Sequence, residues 1–272
     1  MSQANRNGSN GRARGQGYGQ YLLIPLALVG LGLFVLPIFG LIGRAPIHTL
    51  GELLSNPAVG AALRLSLVVS LSAVALSLLF GFPLAWVLAR FEFPGRRLVR
   101  ALVALPMVLP PVVAGVALLT ALGRRGLLGG VLESLGLELA FTTAGAILAA
   151  TFVAAPFFIV TCEAALEGVD RRLEDAAATL GATRLRILWT VTLPAIRPSL
   201  LAGLALCWAR ALGEFGATIT FAGNFRGRTQ TVPLAVYEAL QSDHDGAVLL
   251  SLILLAVSLA VLIALRGRLV RS

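Results

Sequence analysis

The chain has 272 residues, 57% of them hydrophobic and 13% charged, with a mean hydropathy of +0.88. That is too apolar for a soluble domain of ordinary composition, so a lipid bilayer is the expected solvent. The formal charge of +9 is carried by arginine without a single lysine, and most arginines flank apolar runs, which points to membrane topology and lipid rather than to nucleic acid.

Residues 1–20 are polar, Gly-rich and basic without apolar periodicity, and are expected to form a disordered cytoplasmic arm ahead of a transmembrane domain over 21–272. The apolar run that opens this domain is longer than the core of a signal peptide and lacks a small-residue cleavage pattern, so it is expected to remain as an anchor. Crossing the hydrocarbon takes about 20 helical residues. Stretches near 21–42, 63–89, 99–122, 142–166, 197–219 and 247–265 meet that length and predict an all-α membrane protein of about six spans. Arg6, Arg12 and Arg14 precede the first span. Arg90, Arg96, Arg97 and Arg100 follow the second, Arg171, Arg172, Arg184 and Arg186 the fourth, and Arg266, Arg268 and Arg271 the sixth. The opposite loops hold the thinner set Arg44, Arg124, Arg125, Arg226 and Arg228, so the positive-inside rule places both termini in the cytoplasm.

Within the third span, Pro106, Pro110 and Pro111 predict a kink, which either bends a packing helix or shapes a pathway. Between the fourth and fifth spans the chain leaves the bilayer for about 30 residues, long for a mere connection. There Ala176, Ala177 and Ala178 permit close approach of another surface, Leu180, Leu185 and Leu188 supply apolar anchors, and Gly181 predicts a sharp turn between two short helices. Pro194 biases Leu193 away from helical angles and is expected to end the segment. Such a segment either lies along the bilayer surface or docks on a partner.

The predicted fifth span carries Arg210 and Glu214, four residues apart and hence on one helix face. A charge inside a membrane costs on the order of 3 kcal/mol, so the pair faces the bundle interior, either as a packing ion pair or with Arg210 lining an anion pathway and Glu214 orienting it. Cys162 and Cys207 are isolated in apolar runs and read as core residues. His48 and His244 lack clustered partners with metal-ligand spacing, so no metal site and no catalytic constellation is expected. No Gly-Lys-Ser/Thr phosphate loop is present, so an ATP-driven activity requires a second polypeptide.

The stretch "EDAAATLGATRLRILWTVTLP" resembles the cytoplasmic motif of ABC importer permeases: Glu-Ala-Ala, three residues, Gly, nine residues, an aliphatic residue, any residue, then Leu-Pro. Asp175, Ala176, Ala177, Gly181, Val191, Leu193 and Pro194 fall on that template, with Asp175 in place of the usual Glu. The resemblance implies a type I permease fold with coupling helices at about 170–194 that dock on an ABC ATPase subunit. It also implies a second copy of the chain across a central pore, and a periplasmic or extracellular oxyanion-binding protein. ATP and Mg would be bound by the ATPase, with no cofactor and no catalytic site in this chain. The passages "FPLAWVLARFEFPGRRLVRALVALPMVLPPVVAG" and "ARALGEFGATITFAGNFRGRTQTVPLAVY" look like molybdate importer permeases and somewhat less like sulfate ones, with "GRTQT" before Pro-Leu favouring molybdate. The expectation is therefore the transmembrane subunit of a molybdate or tungstate importer in a bacterial or archaeal cell membrane. A sulfate/thiosulfate permease subunit and an ATP-independent secondary anion transporter are the alternatives.

Overall fold

The computed structural model describes residues 16–269, all of them helical or in connecting turns. The helices are α1 (Gln16–Gly43), α2 (Leu50–Ser55), α3 (Pro57–Leu76), α4 (Phe82–Arg90), α5 (Arg96–Val108), α6 (Pro111–Leu122), α7 (Gly129–Ser134), α8 (Thr143–Glu167), α9 (Arg171–Thr179), α10 (Arg184–Ile187), α11 (Leu193–Leu212), α12 (Gly216–Phe221), α13 (Val232–Ala239) and α14 (His244–Leu269). Two five-residue π-helical turns, Ser77–Gly81 and Leu188–Thr192, join α3 to α4 and α10 to α11 without interrupting the helical path. Of the arm expected over 1–20, residues 1–15 lie outside the described residues and α1 begins at Gln16. Arg6, Arg12, Arg14 and Arg271 lie outside them as well.

The chain divides into two compact units, 1–47 and 48–272. The first holds α1, whose stretch Leu23–Gly43 has a mean hydropathy of 2.5, with Leu26, Leu33, Phe34 and Leu36 all exposed. A helix that is apolar all round in this way belongs in lipid or inside a larger assembly.

In the second unit α8 is the central element, packed against α3, α4, α5, α11 and α12. Thr142 caps it by accepting a hydrogen bond from the Gly145 amide at 3.1 Å. Most of its buried residues fall on two adjacent ridges of i, i+4 spacing. Ala146, Ala150, Ala154, Phe158, Cys162 and Leu166 belong to a core shared with α3, α4 and α11. Ala149 and Val153 belong to a second core with Ala114 and Leu118 of α6 and Ala217 and Phe221 of α12. The alanines let neighbouring backbones approach closely, which is how membrane helices pack in the absence of a hydrophobic drive between them. Cys162 and Cys207 are both buried in the first core, and the Cys207 thiol donates to Ser77 Oγ at 3.4 Å.

Among the described residues, five helices are long and apolar enough to cross a membrane: Leu23–Gly43, Pro57–Arg90, Thr143–Glu167, Arg184–Leu212 and His244–Val261. The difference from the expected six lies in the third span. Its expected kink is a full break between α5, of 13 residues, and α6, of 12 residues. Leu109 (ψ 136°) and Pro110 (ψ 133°) are extended because each precedes a proline, whose ring disfavours helical angles in the residue before it. A second correction concerns Leu193. It is helical (φ −62°, ψ −42°), and the chain runs continuously helical from Arg184 to Leu212. Pro194 lies just beyond the π-turn Leu188–Thr192, a local change of helical pitch beside the residue whose amide proton is missing.

Candidate functional site

Asp170 caps α9 by accepting from the Arg172 amide at 3.0 Å, and the helix closes at Gly181, whose φ of +84° is in the left-handed region. Gly181 N donates to Ala178 O at 2.9 Å and Ala182 N to Ala177 O at 3.1 Å, the paired bonds of a Schellman turn. Thr183 then caps α10, accepting from Arg186 N at 3.4 Å. The helix-turn-helix expected around Gly181 is therefore present, and no residue of α9 or α10 is buried.

The template residues fall into two groups. Asp175, Ala176 and Ala177 lie on α9 with Gly181 just beyond it; Asp175 and Ala176 are exposed, and Asp175 forms no hydrogen bond or ion pair with described residues. Leu180 (88% exposed), Leu185 (65%) and Trp189 (65%) extend the same stretch as uncovered apolar surface. Leu193 instead packs against the core that α8 shares with α3, α4 and α11, and Pro194 is exposed at the start of α11.

Ion pairs that the sequence pattern did not single out gather beside this surface. Arg90 Nη2 donates to Glu174 Oε1 at 2.6 Å, and Thr192 Oγ1 donates to the same oxygen at 2.7 Å. Arg100 Nε donates to Glu163 at 2.5 Å, Arg100 Nη2 also reaches Glu167, and Arg96 pairs with Glu167 at 3.0 Å and donates to Leu88 O at 2.7 Å. These contacts tie the start of α5 to α4 and to the end of α8. None has a local signal, because the partners are 63 or more residues apart for every carboxylate–arginine pair.

At the other end of α11, Arg210 Nη1 lies 2.5 Å from Glu214 Oε2. The pair was expected on one helix face, but α11 stops at Leu212, so Glu214 folds back from the connecting turn. Its second oxygen accepts from Ala217 N at 2.8 Å and closes the first turn of α12. Glu214 is 2% exposed, while the Arg210 side chain is 28% exposed. A buried carboxylate thus holds a cation that stays partly exposed on the surface of the chain.

The two helix breaks meet. A Cβ added to Gly216 would lie 2.6 Å from Pro111 Cβ, and one added to Gly115 would lie 2.6 Å from Thr220 Cβ and 3.0 Å from Ala217 O. Only glycine permits α6 and α12 to pack this closely. Beyond α12, the loop 222–231 is held from within. Phe225 O accepts from the amides of Arg228, Thr229 and Gln230 at 2.9–3.0 Å, Thr143 Oγ1 donates to Arg228 O at 2.7 Å, and Val232 N donates to Ser66 Oγ at 2.7 Å. Glu238 accepts from Asn224, Arg226 and Gln230. The Arg226 guanidinium, with help from the two amides, holds the Glu238 carboxyl below its ordinary range. Thr229, Gln230 and Thr231 of the "GRTQT" stretch are buried, so that stretch serves the loop's interior.

Residues 79–272 match the family model described as "Binding-protein-dependent transport system inner membrane component". The molybdenum transport system permease protein of Mycobacterium tuberculosis is 41% identical over 242 residues, 89% of this chain and 92% of its own length. Its counterpart from Escherichia coli is 47% identical over 201 residues, 73% of this chain and 88% of its own length. The sulfate transport system permease protein of Salmonella typhimurium is 38% identical over 215 residues, 79% of this chain and 78% of its own length. Among solved structures, a bacterial ABC transporter involved in the import of the acidic polysaccharide alginate has a chain that matches with a TM-score of 0.74 at 21% identity, covering 94% of this chain and 96% of that one. That likeness carries the fold alone.

Proposed function

The chain belongs to the binding-protein-dependent transport system inner membrane component family, and from that membership we propose that it is the membrane-spanning subunit of an ATP-driven importer of molybdate, with tungstate as a second cargo. The observation that carries this reading is the identity of 41–47% with molybdenum permeases over most of the chain, against 38% with a sulfate permease.

A bare dianion cannot cross hydrocarbon without compensating dipoles, so a pathway must open alternately to each side. Two copies of the chain, related by a two-fold axis, line it between them. Arg210 lines the route and Glu214 fixes its orientation; the partial exposure of Arg210 beside a buried carboxylate supports the assignment. The exposed Asp175, Ala176, Leu180 and Leu185 form the docking face for an ABC ATPase subunit, which binds ATP and Mg, and Gly181 sets the turn of that face. A binding protein delivers the oxyanion on the opposite side, and both termini are cytoplasmic.

The test is uptake into proteoliposomes containing this chain with its co-purified ATPase and binding protein. ATP-dependent molybdate uptake blocked by tungstate but not by excess sulfate is expected. Sulfate uptake instead would assign the chain to the sulfate permeases, a reading supported by the 38% identical relative. Uptake without ATP would remove the importer reading.

A further inference from the structure

The docking helix α9 is joined to the rest of its unit by little apolar packing: none of its residues is buried, and its principal contacts outside α10 are with the π-turn Leu188–Thr192. What fastens it is one carboxylate. Glu174 Oε1 accepts from both Arg90 Nη2 (2.6 Å) and Thr192 Oγ1 (2.7 Å), so a single oxygen joins three elements that are 84 and 18 residues apart in sequence.

Each partner is itself fixed. Arg90 is the last residue of the continuous helix Pro57–Arg90, its side chain is only 10% exposed, and its guanidinium lies over the Trp86 ring at 5.5 Å from the centroid. Thr192 is fully buried and is the last residue of the π-turn that leads into α11. Arg210 lies on that same helix, about 27 Å further along at the ordinary rise per residue. The neighbouring Asp175, about 100° around α9, is exposed and has no partner among the described residues. The two adjacent carboxylates therefore serve different sides, Asp175 the surface and Glu174 the transmembrane helices.

We propose that Glu174 is a positioning residue that transmits displacement of the docking helix to α4 and α11, a polar fastening where apolar packing is thin. The inference rests on the assignment of α9 as the ATPase-docking helix. Charge-assisted contacts of this kind are short and directional, so the fastening passes on a shift of α9 rather than absorbing it.

The test uses the full complex in proteoliposomes and compares wild type with Glu174→Gln, Arg90→Gln, and the exchange Glu174→Arg with Arg90→Glu. Glu174→Gln keeps the acceptor for Thr192 but removes the charge. The expected result is normal co-purification of the ATPase and normal basal hydrolysis, with binding-protein-stimulated hydrolysis and uptake reduced about tenfold or more, the size of an ordinary coupling between sites. The exchange is expected to restore a substantial part of uptake. Wild-type uptake by Glu174→Gln would overturn the proposal, as would parallel loss of assembly, hydrolysis and uptake that the exchange does not rescue, which marks a purely structural contact. A wild-type complex without ATP-dependent uptake would instead overturn the importer reading, and this inference with it.

Discussion

Arg210 and Glu214 are paired across the end of a helix rather than along it: their charged atoms are 2.5 Å apart, yet α11 stops at Leu212 between them. Glu214 also closes the first turn of α12 through Ala217 N, so the carboxylate is fixed on both sides and the guanidinium is held by it.

Removing the cation alone, Arg210→Gln, leaves a carboxylate of 2% exposure without its counter-charge. Breaking one side of a buried pair costs about 3–5 kcal/mol, less where one partner is only partly buried, as Arg210 is. Uptake is expected to be abolished, with a lower melting temperature of the detergent-solubilised complex. The double variant Arg210→Gln, Glu214→Gln separates packing from pathway. It is expected to regain most of the melting temperature while still failing to take up molybdate, and restored uptake would assign the pair to packing alone.

Gly181→Val introduces a β-branched side chain at a φ of +84°. The open space around the position offers no clash, so the penalty is conformational, about 1–2 kcal/mol in the left-handed region. The expected outcome is loss of the bonds to Ala177 and Ala178, an altered angle between α9 and α10, and ATP hydrolysis that persists without uptake. Unchanged coupling would count against the docking assignment.

At the meeting point of the two breaks, Gly115→Val places carbon within 3 Å of Thr220 Cβ, where the neighbouring helix must shift. Overpacking of this kind costs about 1–3 kcal/mol. A lower melting temperature is expected, and Gly216→Ala, which meets Pro111, is expected to do the same. Thr220→Ala in the Gly115→Val background keeps the Cβ and the Ala217 carbonyl in contact, and is expected to recover little of the loss.

Glu238 has a carboxyl lowered from its ordinary value of 4.5, chiefly by the hydrogen bond from Arg226. A group whose folded value is depressed adds stability above its unfolded value, and that contribution fades as pH falls through the lower folded value. The melting-temperature difference between wild type and Glu238→Gln is therefore expected to be largest near neutral pH and to vanish below the ordinary carboxylate range. A difference that persists in acid would mean that the loop is held by the amides of Asn224 and Gln230 without the charge.

Long apolar runs were readable because length and composition alone define them. The expected 63–89 and 142–166 correspond to Pro57–Arg90 and Thr143–Glu167. The Schellman turn was readable too, since a glycine between two amphipathic stretches has few other uses. Proline was the less certain guide. The same bias on the preceding residue breaks the chain at Leu109–Pro110 yet leaves Leu105 and Leu193 helical, because in α5 and α11 the surrounding helix overrides it. Glu174 escaped notice because its partner is 84 residues away and the family template draws the eye to Asp175 beside it. The "GRTQT" stretch was read for its likeness to molybdate permeases, whereas its buried Thr229 and Gln230 hold a loop together.

The two ridges of α8 have one more consequence. Ala149 and Ala150, or Val153 and Ala154, are consecutive in sequence, yet each pair is divided between the two cores. The wall between the cores is thus a single residue thick, and it winds around α8 because i±4 rows are inclined to a helix axis by about 26°. Any displacement of α6 and α12 past α3, α4 and α11 would have to follow that winding, so that sliding along α8 and turning about it would be one motion.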